Sequence, residues 1–228
     1  MNEAWLLLQS GAGEPAWNMA FDEALLVACP ELARPVLRFY SWSVPAATFG
    51  YSQHFSEVER ATFLRPLIRR PTGGGLVPHD ADWTYSLVFP PNNWCYALKA
   101  TESYERVHQW IKDAFQNMGV ATELSANCKK EIPGQCFVGF EKSDVLWHGK
   151  KIAGAAQRRT KSGLLIQGSV QPPPVSLAKA DWQKAMCDVA GANFRVRWED
   201  LAVDSSLAAH AATLVRDKYS QASHNQKR

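Results

Sequence analysis

Residues 144–170 restrict the fold more than any other stretch of the chain. They read as two tight hairpins in series. A short strand over 144–147 meets His148-Gly149, a return strand runs over 150–159, residues 160–163 turn again, and a third strand covers 164–170 before Pro172-Pro173-Pro174. Two-residue turns join only antiparallel neighbours, so at least part of the sheet must be antiparallel. Further strands are expected over 36–40 and 46–51, separated by Ser43-Val44-Pro45, and over 83–89, which stops at Pro90-Pro91. Pro15 suits the first turn of a helix over 15–28. Ala16, Met19, Ala20, Ala24 and Val27 supply its apolar spacing, and Asp22 and Glu23 are expected to face outward. Tyr104, Val107, Ile111, Phe115 and Met118 predict a second helix over 102–118, closed by Gly119, with His108 on its surface. Helices over 175–189 and 205–219, the latter capped by Asp204, complete the pattern. Strands and helices mixed in this way predict an α+β fold: a mixed, largely antiparallel sheet flanked by helices. Residues 1–219 are expected to form one domain, and the short polar stretch 220–228 a disordered tail.

Composition narrows the classes of function. A chain of 228 residues with 46% hydrophobic and 21% charged residues can bury a sizeable core, which is also the first expectation for its nine Trp. The net charge of +3, with scattered basic residues, gives no footprint for nucleic acid. One local cluster, Lys150, Lys151, Arg158, Arg159 and Lys161, is suited to an acidic protein partner or to a solvated strand edge. Five cysteines at irregular spacings, without a CxxC pair, speak against a disulfide framework or a metal site. The opening residues are not a basic leader, and no apolar run approaches the ~20 residues of a membrane helix. The expectation is a protein of a reducing cytoplasm that does not enter a membrane.

Three strings hold residues capable of chemistry. Arg69-Arg70-Pro71-Thr72-Gly73-Gly74-Gly75-Leu76-Val77-Pro78-His79-Asp80 joins three glycines, which let a ligand lie against main-chain N–H groups, to arginines suited to an anion. Alone, the glycines fit a basic-shouldered surface turn equally well. Gly149-Lys150-Lys151-Ile152-Ala153-Gly154-Ala155-Ala156-Gln157-Arg158-Arg159 is a strand in which Lys151, Ala153 and Ala155 are expected to share one face, leaving room beside the ammonium. An exposed hairpin lysine is the other reading. Cys136-Phe137 follows Pro133-Gly134-Gln135, a loop of the kind that displays reactive groups, although a single cysteine is more often a small buried apolar residue. His148 reads as a turn residue.

Taken together, these strings resemble the biotin/lipoate protein ligase and octanoyltransferase family. Arg-Arg-x-Thr-Gly-Gly-Gly, with a hydrophobic pair and then His-Asp, and Gly-Lys-Lys-Ile-Ala-Gly-x-Ala-Gln-x-Arg carry the likeness. Asn18-Met19-Ala20-x-Asp22-Glu23-Ala24-Leu25 and Leu37-Arg38-Phe39-Tyr40-x-Trp42 extend it, so that it runs from about Ala16 to Trp198. The resemblance implies a catalytic core like that of biotin ligases and class II aminoacyl-tRNA synthetases. It assigns acyl or acyl-adenylate binding to Arg70, Thr72, Gly73, Gly74, Gly75, Leu76, Val77, Pro78 and His79. Gly154, Ala155 and Gln157 join them from the second string, and Lys151 is expected to reach the acyl carbonyl. No metal ligand is implied.

Two chemistries occur within such a family. Ligases activate the acid with ATP and magnesium, whereas transferases pass an acyl thioester through an enzyme cysteine. Cys136, fifteen positions before Lys151, resembles the cysteine/lysine octanoyltransferase branch, which reads Cys-Phe upstream of the lysine hairpin. The short stretch after Trp198 also differs from the accessory domain of many lipoate–protein ligase A-like enzymes. The resemblance therefore implies octanoyl or lipoyl transfer from acyl carrier protein, through Cys136, to a lysine of a lipoyl domain or glycine cleavage H protein, without a cofactor. The Lys151 ammonium is expected to favour the Cys136 thiolate and to stabilise the oxyanion. An ATP-dependent lipoate–protein ligase and a non-catalytic acyl-binding subunit are the alternatives. Gln167-Gly168-Ser169 departs from the His-Gly that many relatives carry there.

Overall fold

The computed structural model describes residues 3–130, 134 and 136–227. Pro133 and Gln135, expected in the loop before Cys136, lie outside the described residues, as does Arg228 of the expected tail. In chain order the elements are β1 (Glu3–Gly13), α1 (Pro15–Leu32), β2 (Val36–Trp42), β3 (Ala46–Phe49), α2 (Phe55–Ala61), β4 (Leu67–Arg69), β5 (Val77–His79) and β6 (Trp83–Phe89). Then follow α3 (Trp94–Ala97), α4 (Ala100–Asn117), β7 (Glu123–Leu124), β8 (Lys129–Lys130), β9 (Gly139–Phe140), β10 (Val145–Trp147), β11 (Lys150–Thr160) and β12 (Gly163–Val170). The chain closes with α5 (Lys179–Phe194), β13 (Val196–Asp200), α6 (Ser205–Leu214), a π-helical turn (Val215–Tyr219) and α7 (Ala222–Asn225).

The expected α+β architecture is present. Eight strands form the main sheet in the order β13-β1-β2-β6-β12-β11-β10-β7. From β2 to β7 every pairing is antiparallel, and β1 is parallel to both β2 and β13. The two hairpins form where the turns predicted them, and His148 and Gly149 both take positive φ (48° and 74°), as a two-residue turn between twisted strands requires. β1 and β13 were not anticipated. Their parallel pairing is formed by residues almost two hundred positions apart, so no local turn announces it. α5 starts four residues later than the spacing placed it, after the extended proline segment. It buries Trp182, Ala185, Met186, Val189 and Ala190 at helical intervals.

Helices cover both faces of the sheet. α4 and α5 bury one face around Trp5, Trp110 and Trp182. α1 and α6 bury the other. The smaller sheet β4-β3-β5 carries the arginine-glycine string beside this second face. Among the described residues no helix is long and apolar enough to cross a membrane.

Four expectations are corrected. Asp22 does not face outward: it is fully buried, and its carboxylate accepts from Arg38 Nη1 (2.7 Å), Ser86 Oγ (2.7 Å), Tyr40 Oη (3.1 Å) and Gln167 Nε2 (2.7 Å). Buried Arg38 supplies the compensating charge, so apolar spacing misassigns a face whose polar residues satisfy one another. Glu23 is half-buried rather than outward, and it accepts from Lys218 Nζ and Tyr219 Oη (both 2.6 Å). His108 is buried rather than superficial, and burial pushes its imidazole down to about 4. The expected disordered tail is folded from Ser220 to Lys227. Asn225 Oδ1 accepts from the Arg69 N–H (2.9 Å), and Arg69 Nε donates to the His224 carbonyl (3.0 Å). A polar tail becomes ordered here because a strand edge offers its side chains and carbonyls fixed partners.

Removing the Asp22 carboxylate strands a buried guanidinium. Asp22→Ala is expected to cost about 3–5 kcal/mol of stability in chemical denaturation. Glu199→Ala, which removes a surface carboxylate shared by Arg34 and Arg197, is expected to leave the denaturation midpoint nearly unchanged.

Candidate active site

The arginine-glycine string folds back on itself because Arg70 is buried and must find acceptors inside the protein. Its guanidinium donates from Nε and Nη2 to the Gly73 carbonyl (3.0 and 2.5 Å) and from Nη1 to the Thr48 carbonyl (3.2 Å). Thr72 Oγ1 donates to Gln167 Oε1 (2.8 Å), which ties the loop to the main sheet. Glycine is required at two steps of this loop. Gly74 has φ +82°, and a Cβ there would lie 2.8 Å from Arg70 Nη2. A Cβ on Gly75 would lie 2.6 Å from the Gly134 carbonyl oxygen. That close approach lets Leu76 pair with the segment around Cys136: the Leu76 N–H donates to Gly134 (2.7 Å), and the Cys136 N–H to Leu76 (3.0 Å). The Gly75 N–H then points at Cys136 Sγ (3.2 Å), and Arg70 Nη2 and the same sulfur flank Gly74, 2.8 and 3.7 Å from where its Cβ would stand.

Lys151 reaches this place by a route that alternation does not predict. The register between β10 and β11 shifts, so that Val145 faces Ala153 while Leu146 faces Lys151. Ile152 and Ala153 consequently both enter the core. Lys151 therefore does not share a face with Ala153 and Ala155; its side chain lies against Gly154, where a Cβ would stand 2.5 Å from Lys151 Cε and 2.6 Å from Nζ. The ammonium pairs with Asp144 Oδ2 at 2.8 Å and lies 5.3 Å from the Phe137 ring centroid. Asp144 is fully buried, and it also accepts from the Glu141 N–H (2.7 Å) and from Tyr104 Oη. The Tyr104 hydroxyl is raised well above its usual range by burial and by Asp144.

Arg70, Val77, His79, Cys136, Phe137, Lys151, Gly154 and Ala155 line one crevice with about 430 Å³ of atom-free space, mouth included. A second, outer groove shares Cys136, Lys151 and Ala155 with it and adds Gly74, Gly75 and Gly134. Thr72, Gly73, Leu76 and Pro78 are not on the crevice wall but brace the loop, and Leu76 packs in the core of the small sheet. Gln157, expected at the substrate, instead bonds Ser103 Oγ (3.0 Å) and the Ala100 carbonyl (2.7 Å) of α4. His79 is held by Thr48 (2.8 Å) and Asp82 (2.8 Å) and stacks on Trp42.

Sequence reasoning missed Asp144, Gly50 and Gln53. Counting across the hairpin from Lys151 leads to Leu146, and Asp144 stands two positions before it, on the diagonal. Nothing in sequence marks Gly50, where a Cβ would lie 1.9 Å from the Gly74 carbonyl oxygen, or Gln53, which bridges the Gly50 N–H (2.9 Å) and the Gly134 carbonyl (2.9 Å).

Fold and crevice define an α+β catalytic-type domain that presents a thiol at the junction of an inner pocket and an outer groove. Residues 14–171 match the family model described as the lipoyl protein ligase A/B catalytic domain. The chain is 34% identical to "Octanoyltransferase LipM" of Halalkalibacterium halodurans over 181 residues, 74% of this chain and 66% of that protein. It is also 34% identical to "Octanoyltransferase LipM" of Staphylococcus aureus over 184 residues, 75% of this chain and 66% of that protein. The chain thus covers about 66% of the length of these relatives. Its fold is shared with lipoate-protein ligase A solved with ATP (TM-score 0.79, 20% identity, 99% of each chain). It is shared likewise with a bi-partite lipoate protein ligase from Thermoplasma acidophilum (TM-score 0.79, 18% identity, 98% of this chain and 96% of that one). The protein belongs to the lipoyl protein ligase A/B catalytic domain family.

The site makes a prediction about its thiols. Burial pushes Cys29 and Cys95 up to about 12 and Cys187 up to about 11. At pH 8 each is at most about one part in a thousand thiolate. Brief treatment of the native protein with iodoacetamide, followed by peptide mass mapping, is expected to label exposed Cys128 and crevice-lining Cys136 and to spare the other three.

Proposed function

We propose that the protein is an octanoyltransferase of protein lipoylation. The observation that carries this reading is the position of Cys136 Sγ, hydrogen-bonded to Gly75 at the wall shared by crevice and groove, beside Lys151. An adenylating enzyme has no use for a thiol there. The 34% identity to two octanoyltransferases supports the same activity. The donor is an octanoyl thioester of acyl carrier protein. The acceptor is a lysine of a lipoyl domain or glycine cleavage H protein, reached through the outer groove.

The chemistry needs no ATP or metal. The Cys136 thiolate attacks the donor carbonyl and an S–C bond forms. The oxyanion collapses, the donor C–S bond breaks, and the departing sulfur takes up a proton. One thioester replaces another, so the step is nearly isoenergetic. A neutral acceptor amine then attacks the Cys136 thioester. A C–N bond forms, the Cys136 C–S bond breaks, the nitrogen loses its proton, and the thiolate is restored; thioester to amide is downhill. Lys151, fixed by Asp144, is placed to stabilise the oxyanion in both halves. The uncharged wall made by Val77, Phe137, Ala155 and Ala156 suits an alkyl chain. A reactive thiol of this kind belongs in a reducing cytoplasm.

Incubation with octanoyl-carrier protein in the absence of ATP is expected to add one octanoyl group to Cys136 by intact mass, and Cys136→Ala is expected to remain unmodified. Turnover only with free acid and ATP would assign a ligase instead, and no turnover in either mixture an acyl-binding subunit. Lys151→Met is expected to slow transfer by about a hundred- to a thousandfold, the usual loss for one oxyanion donor, whereas Lys150→Met, on the exposed side of the strand, leaves it nearly unchanged. Gly154→Ala is expected to lower the transfer rate and the Tm together, because its Cβ displaces the end of Lys151 from its buried partner Asp144.

A further inference from the structure

A cysteine and a lysine in one crevice invite the assumption that the ammonium holds the thiolate. The charges in this protein are arranged otherwise. The Lys151 ammonium already has an anion, the buried Asp144 carboxylate at 2.8 Å. Arg70 is the opposite case: it is buried, and its hydrogen bonds to oxygen go to the Gly73 and Thr48 carbonyls and the Thr48 hydroxyl, all neutral. Among the described residues no carboxylate pairs with it, and a buried guanidinium without an anion is costly. The group it does meet is Cys136 Sγ. A Cβ built on Gly74 would stand 2.8 Å from Arg70 Nη2 and 3.7 Å from Cys136 Sγ, so both flank the same glycine, and the Gly75 N–H points at the sulfur from 3.2 Å. The Gly75 N–H and the guanidinium thus stand around one sulfur, an arrangement suited to an anion.

We propose that Arg70, with the Gly75 N–H, is the counter-charge that holds Cys136 as a thiolate, and that Lys151, neutralised by Asp144, is left for the acyl carbonyl. The proposal rests on the octanoyltransferase reading only in giving the thiolate a use. Burial lowers the Arg70 guanidinium, and the neighbouring Cys136 acts in the opposite direction. The other titratable or charged groups around this sulfur are Tyr40 and His79 on the crevice wall, and Tyr104, Lys129 and Glu141 along the outer groove.

The test is the pH dependence of iodoacetamide labelling at Cys136, followed by peptide mass in the full-length protein. Arg70→Gln is expected to raise the midpoint by about 1–3 pH units, the size of effect an opposite charge at this range exerts. Arg70→Lys is expected to restore most of that shift by returning the charge. Lys151→Met is expected to move the midpoint by well under one unit while slowing transfer about a hundred- to a thousandfold. A rise in Lys151→Met equal to or larger than that in Arg70→Gln, or an unmoved midpoint in folded Arg70→Gln, overturns the proposal. If Arg70→Gln does not fold, Lys151→Met still decides: a rise of a unit or more overturns the proposal and an unmoved midpoint upholds it. Octanoyl loading of wild-type Cys136 is measured in parallel. Arg70-dependent labelling without loading would sink only the transferase reading, and loading without Arg70 dependence only this inference.

Discussion

Much of this structure depends on a single buried carboxylate. Asp22 on α1 accepts from groups on β2, β6 and β12, and so fastens the first helix to three consecutive strands of the main sheet. A fully buried carboxylate is tolerable only with such complete satisfaction and with a cation in contact, which Arg38 provides at 2.7 Å. The same network reaches the site. Gln167 donates to Asp22 and accepts from Thr72, so the position of the glycine loop is set from the centre of the protein by two side chains. A glutamine suits this place. Its amide both donates and accepts, which the place between a carboxylate and a hydroxyl demands.

The site itself is built from close approaches of backbone. Gly50 lies against Gly74, Gly75 against Gly134, and Gly154 under Lys151, and at each a Cβ would stand within 2.6 Å of its neighbour. Glycine costs entropy in the unfolded chain, and that cost is met here by positions that no larger residue can occupy. The result is a rigid cradle around a sulfur, with a guanidinium on one side and an ion-paired ammonium on the other. Two cations in one small crevice would repel each other if both were bare. Asp144 removes that repulsion and, with Tyr104 and the Glu141 N–H behind it, keeps Lys151 aimed.

The hairpins, the main helices and the α+β class were legible in the sequence because each rests on short-range rules: turn residues between alternating runs, and apolar positions at helical spacing. The crevice residues Arg70, Val77, His79, Cys136, Lys151 and Ala155 were legible because they sit in compact strings. The misses share one cause. Asp22 and His108 read as surface because a polar side chain on a helix is ordinarily solvated, and only partners from distant strands or helices make its burial tolerable. Lys151 was placed on the wrong face because strict alternation cannot foresee a bulge. Gln157 looked like a ligand contact because its string did, yet α4 claims its amide.

The sequence by itself determined that this chain has a mixed sheet with serial hairpins, that a glycine-rich loop follows paired arginines, and that a cysteine and a lysine lie close to it. These are local facts, written in turn chemistry and residue type. Only the tertiary structure decided which cation meets the sulfur. Lys151 and Arg70 are equally charged in sequence. A register shift on β11 hands one to Asp144, and a left-handed glycine at position 74 hands the other to Cys136. Electrostatic partnership depends on distance and burial, and both are set by elements packed from opposite ends of the chain.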